Sequence, residues 1–260
     1  MSEIADSGGG PVGSHDGGTA DLHIEPPLTM REVHAQARWI LPVAAALFAI
    51  FAVLALFDAL PWDRPITNWI VDQRTPWLND LAKGITRFGA DQTVYVVAAI
   101  CAVVAWPRCR PLAISIMALA LTRSLIVVAV KVVIARDRPP AALQLVHPGG
   151  YSFPSGHPFA TVASWCFIPL VILLYTQRRW IWWASVFVVW TLAVLVGASR
   201  TYLGVHYATD VVGGLLLALL FVAGSEVLIE FLHRHNAPPV LQCGATSGGP
   251  GRTRPKPPDV

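Results

Sequence analysis

Residues 39–57 read WILPVAAALFAIFAVLALF, a run without a single charged side chain. A helix rises about 1.5 Å per residue, so a run of this length nearly crosses the roughly 30 Å hydrocarbon core of a bilayer. The whole chain shares this character, with 54% hydrophobic and 13% charged residues among 260 and a mean hydropathy of +0.54. Soluble domains carry about 25% charged residues, so the composition predicts an integral membrane protein.

Five further apolar runs follow the first one. They cover approximately 91–106, 111–134, 158–175, 180–198 and 208–232. The run 91–106 is the weakest because its charge-free part is short, but without it the charged loops fall on inconsistent sides. We therefore predict an all-α protein, a six-helix transmembrane bundle that occupies residues 36–234. The flanking Gly/Pro-rich segments, 1–35 and 235–260, are predicted to be disordered cytoplasmic tails.

Basic residues predict how the bundle is oriented. Arg108 and Arg110 join the second run to the third, and Arg178 and Arg179 join the fourth to the fifth. The positive-inside rule places these loops and both termini in the cytoplasm. Arginine outnumbers lysine 16 to 3 and alanine is abundant, which favours a GC-rich bacterial source. The expected location is the bacterial inner membrane.

The first outer loop, 61–90, carries both acidic and basic residues. Within it, residues 76–88 (PWLNDLAKGITRF) place apolar side chains on one face of a short predicted helix. Two positions suit such a helix: it could lie on the outer leaflet, or it could pack over the mouth of the bundle.

Three blocks of polar residues lie at helix ends on the predicted outer side. The blocks are Lys131 with Arg138-Pro139, then Pro154-Ser155-Gly156-His157, then Ser199-Arg200 with His206 and Asp210. They stand at the exits of the third and fifth runs and at the entrances of the fourth and sixth. This topology alone brings the three blocks to one side of the membrane, where charged residues are functional candidates. An active site is therefore expected at the outer face.

The residue types indicate a site for a dianion. Lys131, Arg138 and Arg200 supply positive charge, and arginine forks match phosphate oxygens. Gly156 allows a close backbone approach, and the hydroxyl and amide of Ser155 add donors. The pattern predicts a phosphate-binding nest.

Two histidines complete the predicted site. His206 and Asp210 are four residues apart and share one helical face. A carboxylate that holds one ring nitrogen leaves the other nitrogen free to attack. His157 has no carboxylate in its own block and is better placed as the acid that protonates a departing oxygen.

The motifs Lys-x6-Arg-Pro, Pro-Ser-Gly-His and Ser-Arg-x5-His-x3-Asp, in this order, resemble the three signatures of the type 2 phosphatidic acid phosphatase superfamily, the lipid phosphate phosphatases. The resemblance implies a phosphohydrolase that needs no metal or cofactor and passes through a phosphohistidine. It implies that His206 is the nucleophile, Asp210 its orienting carboxylate and His157 the general acid. Phosphate binding is implied for Lys131, Arg138, Ser155, Gly156 and Arg200.

The expected partner is a lipid phosphate drawn from the bilayer. By analogy with short bacterial members of the superfamily, we favour a polyprenyl phosphate or diphosphate, such as undecaprenyl diphosphate, in the recycling of lipid carriers for the cell envelope. Phosphatidic acid or phosphatidylglycerol phosphate is the alternative substrate. No basic stripe suggests nucleic acid, and the sequence leaves the oligomeric state open.

Two other classes of protein share parts of this pattern. A transporter or scaffold could use the cationic pocket only to hold phosphate, but it has no need of a His-x3-Asp pair beside a second histidine. Vanadate-dependent haloperoxidases share the motifs but are soluble, and six membrane runs argue against them.

Four further polar residues are not specified positions of the motifs. Arg123, near the middle of the third run, is expected to make a structural polar contact inside the bundle, with coupling to substrate as a second choice. Arg136 and Asp137 are expected either to pair with each other or to shape the phosphate loop. His147 has no predicted role.

Overall fold

The computed structural model describes residues 30–58, 60–176 and 178–234. In those ranges all regular structure is helical. The helices are α1 (Met30–Leu56), α2 (Asp63–Asp72), α3 (Pro76–Thr86), α4 (Asp91–Ala105), α5 (Arg110–Ile134), α6 (Gly156–Trp165), α7 (Phe167–Tyr175), α8 (Arg179–Tyr202) and α9 (Ala208–Arg234), with single 3-10 turns at Arg87–Gly89 and Ala141–Leu143. The predicted all-α class is confirmed.

The predicted tails fall mostly outside the described residues, which exclude 1–29 and 235–260. Helix α1 begins at Met30, ahead of the predicted boundary at residue 36. The segment MREVHAQAR contains strong helix formers, so the helix continues beyond the apolar run.

Five helical segments are long and apolar enough to cross a membrane. They are Ala35–Leu56, Arg110–Ile134, Gly156–Tyr175, Arg179–Tyr202 and Ala208–Leu228. Helix α4 has only 15 residues, about 22 Å at the helical rise, so the predicted run 91–106 does not form a full span by itself. It reaches the required length only together with Pro76–Gly89, across a bend of 44°. The described residues thus have five helical spans, or six if this bent pair is counted as one.

Helix α6 lies at the centre of the bundle, against α4, α8 and α9, while α1 packs along α9. The apolar window of the α6–α7 span is 56% buried, against 11% for that of α1. Large side chains such as Leu125, Val133 and Phe187 lie exposed on outer helices. Such surfaces suit contact with lipid tails. The second motif, at the start of α6, therefore stands on the most buried helix of the bundle.

Helix α3 packs over the end of the bundle. Ala82 is buried against Leu203 and Val205, and the hydroxyl of Tyr202 donates to Oδ1 of Asn79 at 3.0 Å. Trp77 remains largely exposed. The predicted short helix is present, and of its two predicted positions the structure has the one over the bundle mouth.

Two glycines of α9 allow the loop before α6 to lie directly on that helix. A Cβ atom at Gly214 would overlap the carbonyl of Ser155, and one at Gly213 would overlap the ring of Phe153. In this close approach the Ser155 amide donates to the Asp210 carbonyl at 2.8 Å. The second and third polar blocks are thus joined through the backbone.

Candidate active site

Backbone hydrogen bonds bring the three polar blocks to one end of the bundle. The Ser152 amide donates to the Arg136 carbonyl at 2.8 Å, and the Leu145 amide donates to the Leu203 carbonyl at 2.9 Å. The turn between α8 and α9 passes through Gly204 at φ +73°, where a Cβ atom would also overlap the Leu143 carbonyl. The long loop 135–155 is therefore fixed to this turn, which carries His206.

His206 is buried, and its contacts define which ring nitrogen carries the proton. Its Nε2 lies 3.2 Å from Nη1 of Arg138. A guanidinium has only donors, so Nε2 must accept and the proton is assigned to Nδ1. Nδ1 faces Oδ2 of Asp210 at 3.5 Å and Oγ of Ser152 at 3.4 Å. The Nε2 lone pair is directed toward the cationic side of the site.

Burial lowers the pKa of His206 to about 3. The Asp210 carboxylate opposes this shift, while the charges of Lys131 and Arg138 add to it. The imidazole is therefore neutral at pH 7. A neutral ring has the free lone pair that a nucleophile requires.

Asp210 is fully buried and its carboxylate is held on both oxygens. Oδ2 accepts from the hydroxyl of Ser152 at 2.5 Å and from the amide of Tyr207 at 2.9 Å. Oδ1 accepts from Nη1 of Arg136 at 2.7 Å. These donors satisfy the buried charge and fix the direction in which it faces His206.

Arg136 joins Asp210 to a second buried carboxylate, Asp63 of α2. Its Nη2 lies 2.8 Å from Oδ2 of Asp63, and its Nη1 donates to the hydroxyl of Thr209 at 2.9 Å. Burial alone would lower the pKa of Arg136, but Asp210 and Asp63 together raise it. Arg136 thus pairs with Asp210 and Asp63. Of the two roles left open for Arg136 and Asp137, the contacts among the described residues do not favour pairing with each other.

Three cations, Lys131, Arg138 and Arg200, lie close enough to act electrostatically on one another, and Arg138 contacts Nε2 of His206. Lys131 donates to the carbonyls of Tyr151 and Ser152 at 2.6 and 3.1 Å. Arg138 donates to three carbonyls, those of Gly149, Gly150 and Val205, and Arg200 donates to the hydroxyl of Thr86 at 3.1 Å.

In residues 30–58, 60–176 and 178–234 none of these three cations forms an ion pair with a carboxylate. Neutral oxygens hold the side chains in place but leave their charge uncompensated. Such a cluster favours an anion.

Ser155 and Gly156 lie at the N-terminus of α6, beside this cluster. The Ser155 hydroxyl is fully buried and makes no hydrogen bond to any described residue. A Cβ atom at Gly156 would make only ordinary contact with Val127 at 3.8 Å. Packing within the described chain therefore does not require glycine there, whereas a ligand approaching the helix N-terminus does benefit from it.

His157 is in the first turn of α6, with its carbonyl accepting from Thr161 at 2.9 Å. Its ring makes no hydrogen bond within the part of the chain that the structure describes. The charged groups that act on the ring are Arg200, His206, Arg138 and Lys131. The ring is therefore near the other predicted site residues and is not used to hold the fold.

The remaining polar residues divide into one with an assigned contact and two without. Arg123 is buried, donates to Oδ1 of Asp91 at 3.1 Å and stacks 4.6 Å from the ring centre of Tyr95, which is the predicted structural contact inside the bundle. Asp137 lines a cavity of about 540 Å³ that is also bordered by residues of α1 and α2. The structure assigns no role to His147.

Asp63 and Ser152 are the site residues that sequence reasoning missed. Ser152 is two residues before the Pro-Ser-Gly-His motif, and its closeness to that motif was the available signal. Asp63 gave no such signal, because it is one of several charged residues in a loop far from the motifs in sequence.

The chain is similar in sequence to known phosphatases. The profile of the PAP2 superfamily matches residues 111–233. Phosphatidylglycerophosphatase B of Bacillus subtilis (strain 168) is 32% identical over 190 residues, which cover 69% of this chain and 90% of that relative. Undecaprenyl-diphosphatase of Sulfolobus acidocaldarius is 32% identical over 145 residues, covering 54% of this chain and 65% of that relative.

The fold also matches a solved structure, the crystal structure of the first transmembrane PAP2 type phosphatidylglycerolphosphate phosphatase from Bacillus subtilis. The TM-score is 0.63 at 30% identity, covering 74% of this chain and 98% of the other. Fold, site and similarity together define the class, a multi-pass membrane phosphatase. The chain belongs to the PAP2 superfamily, as the resemblance of its motifs predicted.

Proposed function

We propose that this protein hydrolyses a lipid phosphate ester through a phosphohistidine formed on His206. The observation that carries the proposal is the opposed environment of the two ring nitrogens. Nδ1 faces buried Asp210 at 3.5 Å, while Nε2 faces Arg138 at 3.2 Å. This arrangement orients a neutral imidazole and directs its lone pair toward an anion-binding cluster.

In the first step the phosphate enters between Arg138 and Nε2, so that Nη1 of Arg138 donates to a phosphate oxygen and Nε2 faces phosphorus. Lys131, Arg138 and Arg200 neutralise the phosphate charge, and the free hydroxyl of Ser155 supplies a further donor. Nε2 attacks phosphorus and the bond between phosphorus and the lipid oxygen breaks. His157, whose protonated form is stabilised by the bound phosphate dianion against the surrounding cations, gives its proton to that oxygen. The positive charge of the phosphorylated ring is stabilised by Asp210.

In the second step a water molecule attacks the phosphohistidine. Neutral His157 accepts the proton of the water, the bond between phosphorus and Nε2 breaks, and inorganic phosphate leaves. His206 returns to its neutral form and His157 to its protonated form. Every proton is accounted for by one acid–base residue that changes role between the steps.

We propose that the reaction needs no metal ion, because the side-chain cations occupy the position that Mg²⁺ has in many phosphoryl-transfer sites. The described residues contain no cluster of three His, Cys, Asp or Glu side chains suited to a metal. Activity is expected to survive EDTA.

The relatives support two substrates. Similarity to phosphatidylglycerophosphatase B covers 90% of that protein and extends to a solved structure, which favours phosphatidylglycerophosphate. Similarity to undecaprenyl-diphosphatase supports the polyprenyl diphosphate that the analogy with short bacterial members of the superfamily favours. We place phosphatidylglycerophosphate first and polyprenyl diphosphate second, with hydrolysis at the outer face of a bacterial inner membrane.

The test is phosphate release by the purified protein from a panel of lipid phosphates in EDTA. The panel contains phosphatidylglycerophosphate, phosphatidic acid, undecaprenyl phosphate and undecaprenyl diphosphate. Release from the first of these at the highest kcat/KM is the expected result. Binding of all four lipids without phosphate release by the wild type would instead support a transporter or scaffold.

A further inference from the structure

We infer that Asp63 and Arg136, neither of which is a specified position of the three motifs, are positioning residues that fix the Asp210 carboxylate against His206. The inference rests on the proposed role of His206 as nucleophile. Asp63 is contributed by α2 and lies outside residues 111–233, the range that the superfamily profile matches.

The geometry is that of one guanidinium held between two buried carboxylates. Asp63 and Asp210 are 1% and 0% exposed, and Arg136 reaches them with different nitrogens at 2.8 and 2.7 Å. Thr209 contacts the same groups, and Asp63, Arg136, Asp210 and Thr209 together are called the buried frame. The amide of Thr209 donates to Oδ1 of Asp63 at 3.2 Å, and its hydroxyl donates to Oδ2 of Asp63 and accepts from Arg136.

This frame restricts how Arg136 can approach Asp210. A guanidinium with one carboxylate partner can pair end-on or side-on, and each mode turns the carboxylate differently. Here Asp63 fixes the second nitrogen, and the ring of Tyr207 lies 4.6 Å from the guanidinium carbon. Arg136 therefore has one orientation, and Oδ2 of Asp210 stays directed at Nδ1 of His206.

The frame also sets the charge that His206 experiences. Two carboxylates and one guanidinium leave the group with a net charge of −1, so Asp210 keeps negative charge available to the ring. Phosphorylation makes the ring cationic, and this charge then stabilises the intermediate. Without the charge of Asp63, Arg136 would neutralise Asp210 alone and the stabilisation would weaken.

The structure provides a matched control in Asp58. Its Oδ1 lies 3.8 Å from the same Nη2 of Arg136, but its side chain is 70% exposed. Solvent screens such a contact, so Asp58→Asn removes a carboxylate near Arg136 without disturbing the buried frame. Asp63→Asn also removes one carboxylate charge next to Arg136, but this carboxylate is part of the buried frame.

Both variants are assayed in the full-length protein, in detergent, with phosphatidylglycerophosphate or whichever panel lipid the wild type turns over. We expect Asp63→Asn to lower kcat and the single-turnover rate of phosphohistidine formation by about 10- to 100-fold, with KM within about twofold of wild type. Asp58→Asn is expected to keep both values within about twofold. Equal kcat for the two variants, or a loss confined to KM, overturns the inference.

Thr209 keeps the inference testable if Asp63→Asn does not fold. Thr209→Val removes the hydroxyl shared by Arg136 and Asp63, and Thr209→Ser retains it. We expect a fall in kcat for the first variant and near wild-type kcat for the second, at similar thermal stability. Equal activity of the two variants contradicts a positioning role.

The same set of variants separates this inference from the proposed function. Turnover by His206→Ala refutes the nucleophile assignment itself. An inactive His206→Ala together with a fully active Asp63→Asn refutes the positioning role alone. In an Asp210→Asn background, Asp63→Asn is expected to have little further effect, because both act through one carboxylate.

Discussion

Removal of the His157 ring is expected to impair hydrolysis of a lipid monophosphate far more than hydrolysis of a diphosphate. In a monophosphate the departing group is an alkoxide, which needs a proton as the bond breaks. In a diphosphate the departing group is a phosphate ester, already stable as an anion near neutral pH. His157→Ala therefore removes an acid that only one of the two reactions requires.

The structure indicates that removal of the His157 ring leaves the rest of the site unchanged. The His157 ring makes no hydrogen bond within the described residues, so its removal leaves the contacts of Asp210, Arg138 and Lys131 in place. A general acid contributes about 10²- to 10⁴-fold. We expect kcat/KM to fall by that factor for the monophosphate and by about tenfold or less for the diphosphate.

The assay measures kcat/KM of His157→Ala and wild type on undecaprenyl phosphate and undecaprenyl diphosphate. The shared tail largely cancels differences in lipid binding. His206→Ala serves as control, since both substrates must form the same phosphoenzyme and both should lose turnover. Equal losses for His157→Ala on the two substrates would refute the acid role and leave His157 as a phosphate-binding residue.

Three further predictions test the burial, the packing and the orientation of the site. The pKa of His206 is lowered to about 3 in the folded protein, so between pH 7 and pH 5 the unfolded chain gains a proton at this residue and the folded protein does not. Over this range the wild type should therefore lose about 2 kcal/mol more unfolding free energy than His206→Gln. Equal Tm shifts of the two proteins on acidification would contradict the lowered pKa. The Cβ atom of Gly214→Ala would overlap the loop before α6, so this variant should lower kcat by about tenfold or more. Gly84→Ala is the control, because a Cβ atom there meets nothing within 4 Å, and it should leave kcat unchanged. Unchanged kcat in both variants would show that the loop tolerates displacement. In intact cells an impermeant thiol reagent should label a cysteine at Tyr151 but not one at Arg178, and reversed labelling would place the site in the cytoplasm.

Most of the helices and motif residues could be predicted because their signals are local. An uncharged run specifies a membrane span by its own length, and His206 and Asp210 share a helix face through their spacing alone. The position of the motifs at helix exits and entrances was enough to bring Lys131, Ser155 and Arg200 to one end of the bundle.

The rest could not be predicted because it depends on partners distant in sequence. Asp63 resembles any acidic residue of a polar loop until the fold brings α2 beside Thr209, and Arg136 has an acidic neighbour in sequence that it does not use. The run 91–106 was expected to cross the membrane by itself for a related reason, although α4 has nearly the predicted bounds, Asp91–Ala105. Its apolar run continues structurally, across a bend, into the amphipathic α3 segment, and hydropathy alone does not reveal that continuation.

Trapping of the phosphoenzyme tests the central claim most directly. Wild-type protein is mixed with a lipid phosphate labelled at the scissile phosphate and quenched within one turnover, under conditions that preserve phosphohistidine. We predict acid-labile, base-stable phosphate attached at His206 in the wild type and none in His206→Ala, which should also lack turnover. Sustained phosphate release by His206→Ala, or labelled phosphate attached at any other residue, would contradict the account.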